Sequence, residues 1–276
     1  MQIREYSLPA GWYPRDPDEI STTISRYLTG FKPSPSRAAV SPHAGWYYSG
    51  RIAALGIAGL DRQAQTVVVI GGHLSSASVP LFALEDAVRT PFGHLPIDTE
   101  LRAALFKELG GKEDRFRDNT IEVLLPMVHY FFPKANLLWL RLPANITSFD
   151  AGKAISAAAA KLNRKVNVLA SNDLTHYGLN YGFMPQGSGP SALRWMREVN
   201  DAAFIRAVEE GDISGVLRCA EENSAACSAG AVLGVMGFAK AEGLGNARLL
   251  EYATSADIDD RQVPDSFVGY AAFSFG

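Results

Sequence analysis

Three short apolar runs in this chain each end in a turn that carries a histidine, and this pattern limits the fold more than any other feature. Ala38-Ala39-Val40 runs into Ser41-Pro42-His43-Ala44-Gly45. Thr66-Val67-Val68-Val69-Ile70 runs into Gly71-Gly72-His73, and Val166-Asn167-Val168-Leu169-Ala170-Ser171 runs into Asn172-Asp173-Leu174-Thr175-His176. Short apolar runs bounded by turn residues read as buried strands. A helical pattern through Ile52, Leu55, Ile57 and Leu60 follows the first, so strand, turn and helix succeed one another. In an open α/β sheet such turns lie at the carboxyl ends of strands, where ligands bind.

The rest of the chain continues the alternation. Strands at about 37–42 and 66–71 flank the first of these helices, a βαβ unit that implies a parallel pair. Before them, Asp16 or Asp18 caps a helix whose stripe is Ile20, Ile24 and Leu28 and which Gly30 stops. After them come a strand over 79–84, a loop over 89–94, and a helix capped by Asp98 that ends at Gly110. A helix over 121–131, a strand over 136–142 and an alanine-rich helix over 149–162 follow. Positions 190–222 read as helical, a further helix opens near Ser224, and two strands at 249–255 and 267–275 close the chain. The expectation is an α/β fold: a single three-layer α/β/α domain over residues 1–276, with a mostly parallel central sheet.

Composition narrows the function. Of 276 residues 47% are apolar and 20% charged, as in a chain with a large core. A net charge of −3 gives no reason to expect nucleic acid or an anionic membrane as partner. No apolar run approaches the ~20 residues that span a bilayer, and Met1-Gln2-Ile3-Arg4-Glu5-Tyr6 lacks the apolar core of a signal peptide. The chain reads as cytoplasmic. Its two cysteines, Cys219 and Cys227, do not have the spacing of a redox or zinc-finger pair. No Walker A, dinucleotide-binding or nucleophile-elbow motif occurs in a supporting context.

His43, His73 and Cys227 are the best candidates for a metal site. Imidazole and thiolate suit zinc, iron or copper, and three ligands leave coordination positions open for substrate. Cys227 falls at the expected start of a helix, where the macrodipole and free N–H groups favour a thiolate. It also reads as a small buried hydrophobe among Ala225, Ala226 and Ala229. The two histidines read equally as hydrogen-bonded turn residues. His176 is a further ligand or a general acid–base, and Asp173 an imidazole-orienting carboxylate or a turn cap. Cys219, His94 and His129 read as structural. Glu122 is either near the site or on the surface, and Trp46, Tyr47 and Tyr48 either wall a pocket or belong to the core.

These residues also match a known pattern. Pro9-Ala10-Gly11-Trp12-Tyr13-Pro14, Pro42-His43-Ala44-Gly45, Thr90-Pro91-Phe92-Gly93 and Asn172-Asp173-Leu174-Thr175-His176-Tyr177-Gly178 occur in that order. They are followed by the helix at Cys227, by Tyr252-Ala253-Thr254-Ser255-Ala256-Asp257 and by Val268-Gly269-Tyr270-Ala271-Ala272. Together they resemble the Memo-like family, whose bacterial and archaeal members are called AmmeMemoRadiSam system protein B.

The resemblance implies a fold like that of class III extradiol dioxygenases. It implies His43, His73 and Cys227 as the metal triad, His176 in the acid–base position and Asp173 nearby. The cofactor it implies is Fe(II), with copper or zinc as alternatives. It implies a metal-dependent oxidoreductase acting on a small aromatic substrate. The alternative is a binding or accessory protein whose partner is a peptide or a radical-SAM protein. A third reading, drawn from the residues, is a cysteine hydrolase with Cys227 as nucleophile and His176 as base. Two places differ from the family. Gly71-Gly72-His73 is one residue shorter than the usual Gly-Pro-Asn-His. Asp118-Asn119-Thr120-Ile121-Glu122 stands where Glu-His-Ser-Ile-Glu is common, so an imidazole is missing next to the expected site.

Overall fold

The β-branched run at 66–71 sends alternate side chains to opposite faces, and both faces are covered. Val67 and Val69 pack in one apolar cluster, Val68 and Ile70 in another. The computed structural model describes residues 1–258 and 263–276. Its strands are β1 (Ile3–Arg4), β2 (Ala38–Ser41), β3 (Thr66–Gly71), β4 (Leu81–Phe82), β5 (Ala87–Thr90) and β6 (Gly93–Pro96). They continue with β7 (Lys112–Glu113), β8 (Asn136–Arg141), β9 (Val166–Ser171), β10 (His176–Gly178), β11 (Ala247–Thr254) and β12 (Ser266–Phe275). The helices are α1 (Pro17–Tyr27), α2 (Trp46–Ala58), α3 (Thr99–Leu109), α4 (Asn119–Glu122) and α5 (Leu125–Phe131). After these come α6 (Thr147–Lys161), α7 (Pro190–Trp195), α8 (Ala202–Glu210), α9 (Ile213–Asn223) and α10 (Ala229–Ala241).

Among the described residues nine strands form one sheet in the order β10-β12-β2-β9-β3-β8-β4-β7, with β11 added on β12. The centre, β2-β9-β3-β8, is parallel, and the flanks join it antiparallel through β12 and β4. Helices α1, α2 and α5 pack with Val67, Val69 and Leu169 on one face. On the other, α3, α6, α8 and α10 pack with Val68, Ile70 and Val168. The molecule is thus α/β, with a central sheet between helices. Strands β1, β5 and β6 make a separate small sheet.

The expected caps hold. Asp16 accepts hydrogen bonds from the Asp18 and Glu19 N–H groups, and Asp98 from Leu101 N–H. Several expectations are corrected. β2 and β3 are parallel but not neighbours, because β9 lies between them. The loop at 89–94 belongs to a hairpin of β5 and β6, turned by Pro91 and Phe92. The helix expected over 121–131 is two, since Pro126 cannot donate to the preceding turn. The strand expected over 79–84 keeps only Leu81–Phe82. The helix expected near Ser224 begins at Ala229, so Cys227 precedes its N-cap, Ser228. A π-helical turn over Met196–Asp201 interrupts the helical stretch after 190. No helix among the described residues is long and apolar enough to cross a membrane.

Candidate metal centre

Parallel strands end on the same side, so the turns after β2, β3 and β9 meet there. Cys227 is brought to them by backbone bonds. Its N–H donates to the Asp173 carbonyl at 3.1 Å, and the next N–H, of Ser228, donates to Asn172 Oδ1 at 2.8 Å. One ligand-type atom each from His43, His73 and Cys227 then lie within 4.8 Å of one another. Cys227 Sγ is 3.2 Å from His43 Nε2. The two imidazoles stand edge to face, their centroids 5.1 Å apart. The two histidines are thus turn residues that also share one cluster, despite the shortened Gly-Gly-His turn. His73 reaches it in a left-handed backbone conformation (φ 55°), which a non-glycine residue seldom adopts.

Neighbouring groups fix which nitrogen of each imidazole faces the cluster. Ser171 Oγ donates to the Thr120 carbonyl, so it accepts from His43 Nδ1–H at 2.8 Å. Asp118 Oδ2 is 3.0 Å from His73 Nδ1 and, as a carboxylate, accepts its proton. Both Nε2 atoms are left for the cluster. Asp118 is itself held by Thr120 N–H at 2.9 Å and by Arg141 Nη1 at 3.2 Å. Arg141 forks onto Asp114 through two bonds of 3.0 Å. A chain of three charged side chains thus backs the exposed His73.

The electrostatics follow from this crowding. Burial alone would raise the Cys227 thiol, but the charge and hydrogen bond of His43, with that of His73, bring it down to about 5. Asp173 N–H also donates to Sγ, at 3.3 Å. His73 is pushed up to about 10: burial opposes this, and Asp118 and Cys227 outweigh it. His43 moves up for the same kind of reason, burial being overcome by Asp173 and Cys227. Despite its burial, Asp118 is held far below the usual carboxylate range by His73, Thr120 and Arg141.

Asp173 and His176 stand beside this cluster. Asp173 is buried. Its Oδ1 accepts from His43 N–H at 2.6 Å, and its Oδ2 lies 3.9 Å from His43 Nε2 and 3.8 Å from His176 Nε2. It therefore binds the backbone of the His43 turn and lies close to two imidazoles at once. His176 opens β10 and is partly exposed. Burial works against its positive charge, but Asp173 and Cys227 raise it overall. All five residues singled out from the sequence therefore come together at one end of the sheet. The imidazoles bonded to the thiol are those of His43 and His73, whereas the hydrolase reading had His176.

Other candidates resolve differently. Glu122 is buried and turned away from the cluster. It accepts from Ser7 N–H at 2.8 Å, Leu8 N–H at 3.1 Å and Tyr13 hydroxyl at 2.9 Å, and so straps the N-terminal segment down. Asn119, in the segment that differs from the family pattern described above, donates its amide to the His43 carbonyl at 3.1 Å. Trp46 is core, its indole bonded to the Val123 carbonyl, whereas Tyr47 and Tyr48 are exposed. Cys219 is buried in the core, and His129 is buried against Thr90, as read. Sequence reasoning missed Ser171, Asp118, Arg141 and Asp114. Only Asp118 carried a signal, as part of the segment that departs from the family pattern.

The comparisons with known proteins agree with the resemblance. A family model described as Memo-like protein matches residues 4–274. A MEMO1 family protein of Pyrobaculum arsenaticum is 26% identical over 297 residues, covering 100% of this chain and 99% of that protein. One of Archaeoglobus fulgidus is 28% identical over 279 residues, covering 99% of each. A crystal structure of an uncharacterized Escherichia coli K12 protein aligns at a TM-score of 0.46 and 13% identity, over 80% of this chain and 89% of that one. That last likeness is too distant to bear on function. A match from residue 4 to residue 274, with relatives alike from end to end, means that the chain belongs to the Memo-like protein family.

Proposed function

We propose that this Memo-like protein binds a redox-active divalent metal through His43, His73 and Cys227 and catalyses an oxidative reaction on a small aromatic or phenolic substrate. One observation carries the reading: three ligand-type atoms lie within 4.8 Å of one another, with both Nδ1 atoms engaged elsewhere. Once their protons are displaced, two imidazoles and a thiolate suit copper or zinc as well as iron, and the resemblance puts iron(II) first. The ion would supply Lewis acidity and, for iron or copper, one-electron chemistry. Ser171 and Asp118 keep the imidazoles oriented, a task that carboxylates and hydroxyls behind metal-bound histidines commonly perform. His176, raised above its ordinary value by Asp173 and Cys227 against burial, is the group that would pass a proton to or from the substrate. The resemblance to extradiol dioxygenases supports the oxidative class, although a thiolate stands where those enzymes have a carboxylate.

A second reading, a non-catalytic binding or accessory protein for a peptide or a radical-SAM partner, is favoured by Asn119. Its amide is occupied by the His43 carbonyl and cannot replace the proton-carrying imidazole common in the family. Metal analysis of anaerobically purified protein, beside His43→Ala and Cys227→Ala variants, tests the first reading. Near-stoichiometric iron or copper in the parent, loss in both variants and oxygen uptake with catechols support it. Metal without oxygen uptake favours the second reading. No metal after anaerobic reconstitution overturns the site.

A further inference from the structure

Just past His176 the chain turns back and lays aromatic surface over the imidazole. Leu179–Tyr181 is a single 3₁₀ turn. Its backbone is fixed by three bonds: Gly178 N–H to the Phe183 carbonyl at 2.7 Å, Asn180 N–H to Ser266 Oγ at 3.1 Å, and Gly182 N–H to the Leu179 carbonyl at 3.3 Å. Gly178 has φ 108°, and a Cβ there would collide with the backbone of Asp265 and Ser266, so the position requires glycine. With the turn fixed in this way, its two large side chains do no structural work. Leu179 is nonetheless 70% exposed and Tyr181 47% exposed.

Tyr181 is not placed at random. Its ring lies 19° from parallel to that of His176, with centroids 4.9 Å apart. Burial raises its phenol, and so do the charge of Asp173 and the phenol of Tyr48. Tyr270, buried on β12, responds in turn to burial, to Asp173 and to Tyr181. Offset stacking is the arrangement planar rings adopt with one another, and the half-exposed ring of Tyr181 leaves surface open for a second such contact.

We infer that Tyr181 is a specificity-determining residue: it selects planar aromatic ligands that bear a hydroxyl group, packing against their ring with the surface that His176 leaves uncovered. The choice of phenolic ligands rests on the proposed function; the stacking surface does not. An aromatic contact of this kind is worth up to about tenfold in affinity.

The test is anaerobic calorimetry with catechol and with trans-1,2-cyclohexanediol, on the protein as purified and after zinc addition. The parent and Tyr181→Phe should bind catechol several-fold more tightly than the diol. Tyr181→Ala should bring the two affinities together with metal content unchanged. A parent that does not discriminate, or a preference that survives Tyr181→Ala, overturns the inference. Oxygen uptake by the iron-loaded protein is read separately. Selective binding without uptake would sink the oxidative function and leave the aromatic subsite standing, and uptake with an unchanged preference would do the reverse.

Discussion

Asp201 is the most costly side chain near the site, because it is a fully buried carboxylate whose bonded partners are all uncharged. Its Oδ1 accepts from Thr175 N–H at 3.1 Å and from the Thr175 hydroxyl, and its Oδ2 accepts from the Tyr252 hydroxyl at 2.7 Å. These bonds favour the charged form, yet burial outweighs them and pushes the carboxyl up to about 6. The sign follows: a folded value above the unfolded one favours the neutral form. The stability from neutral Asp201 is therefore complete below about pH 4 and is lost as pH rises through about 6. Asp201→Asn keeps an acceptor for Thr175 and turns an N–H toward the Tyr252 oxygen. It should raise stability at pH 8 by on the order of 1–3 kcal/mol and leave it nearly unchanged at pH 4. Urea melts at both pH values check this, and an equal effect at both would refute it. Nothing in the sequence announces Asp201, because its burial depends on a π-helical turn that periodicity does not reveal. His43, His73 and His176 were legible for the opposite reason. Each follows a buried strand, and strand ends are fixed by local pattern. Asp114 and Arg141, 27 positions apart, meet only through the folded sheet.

At the scale of elements, the tightest packing is between α6 and α10. A Cβ on Gly152 would strike the Gly234 carbonyl, and one on Gly237 would strike the Phe149 carbonyl, so the two helices approach backbone to backbone. Nothing in the alanine-rich sequence of α6 names α10 as its partner. Gly152→Ala should force the helices apart and cost about 1–3 kcal/mol. Its urea midpoint should fall with an unchanged slope, and a midpoint equal to the parent's would mean that the contact relaxes freely. Elements whose signals are local were recovered: α1 and α3 from their aspartate caps, β3, β8 and β9 from continuous apolar runs. The hairpin of β5 and β6 was missed because Pro91 and Gly93 read as loop punctuation, although the same residues turn a tight hairpin. The insertion of β9 between β2 and β3 could not be read, since pairing partners distant in sequence leave no periodic trace.

At the scale of the whole molecule, a metal ion at the triad would tie stability to the site. His43, His73 and Cys227 follow β2, follow β3 and precede α10, so an ion that holds all three binds the folded chain and not the unfolded one. At a free metal concentration 100 times Kd, linkage adds about 2.7 kcal/mol, which for a chain of this size raises Tm by roughly 5 °C. The shift should grow with metal concentration, reverse with a chelator and vanish in His43→Ala. Asp118→Ala should retain it at concentrations about 10–100 times higher, because His73 stays in place but its Nδ1–H loses the carboxylate that orients it. Tyr181→Ala should match the parent, since that ring lies over His176 and not on the triad. Calorimetric scans with iron(II) under nitrogen, copper and zinc decide the matter. An unmoved Tm with all three metals would mean that the triad holds no ion, and the low thiol value of Cys227 would then serve the thiolate–imidazole pair with His43 alone.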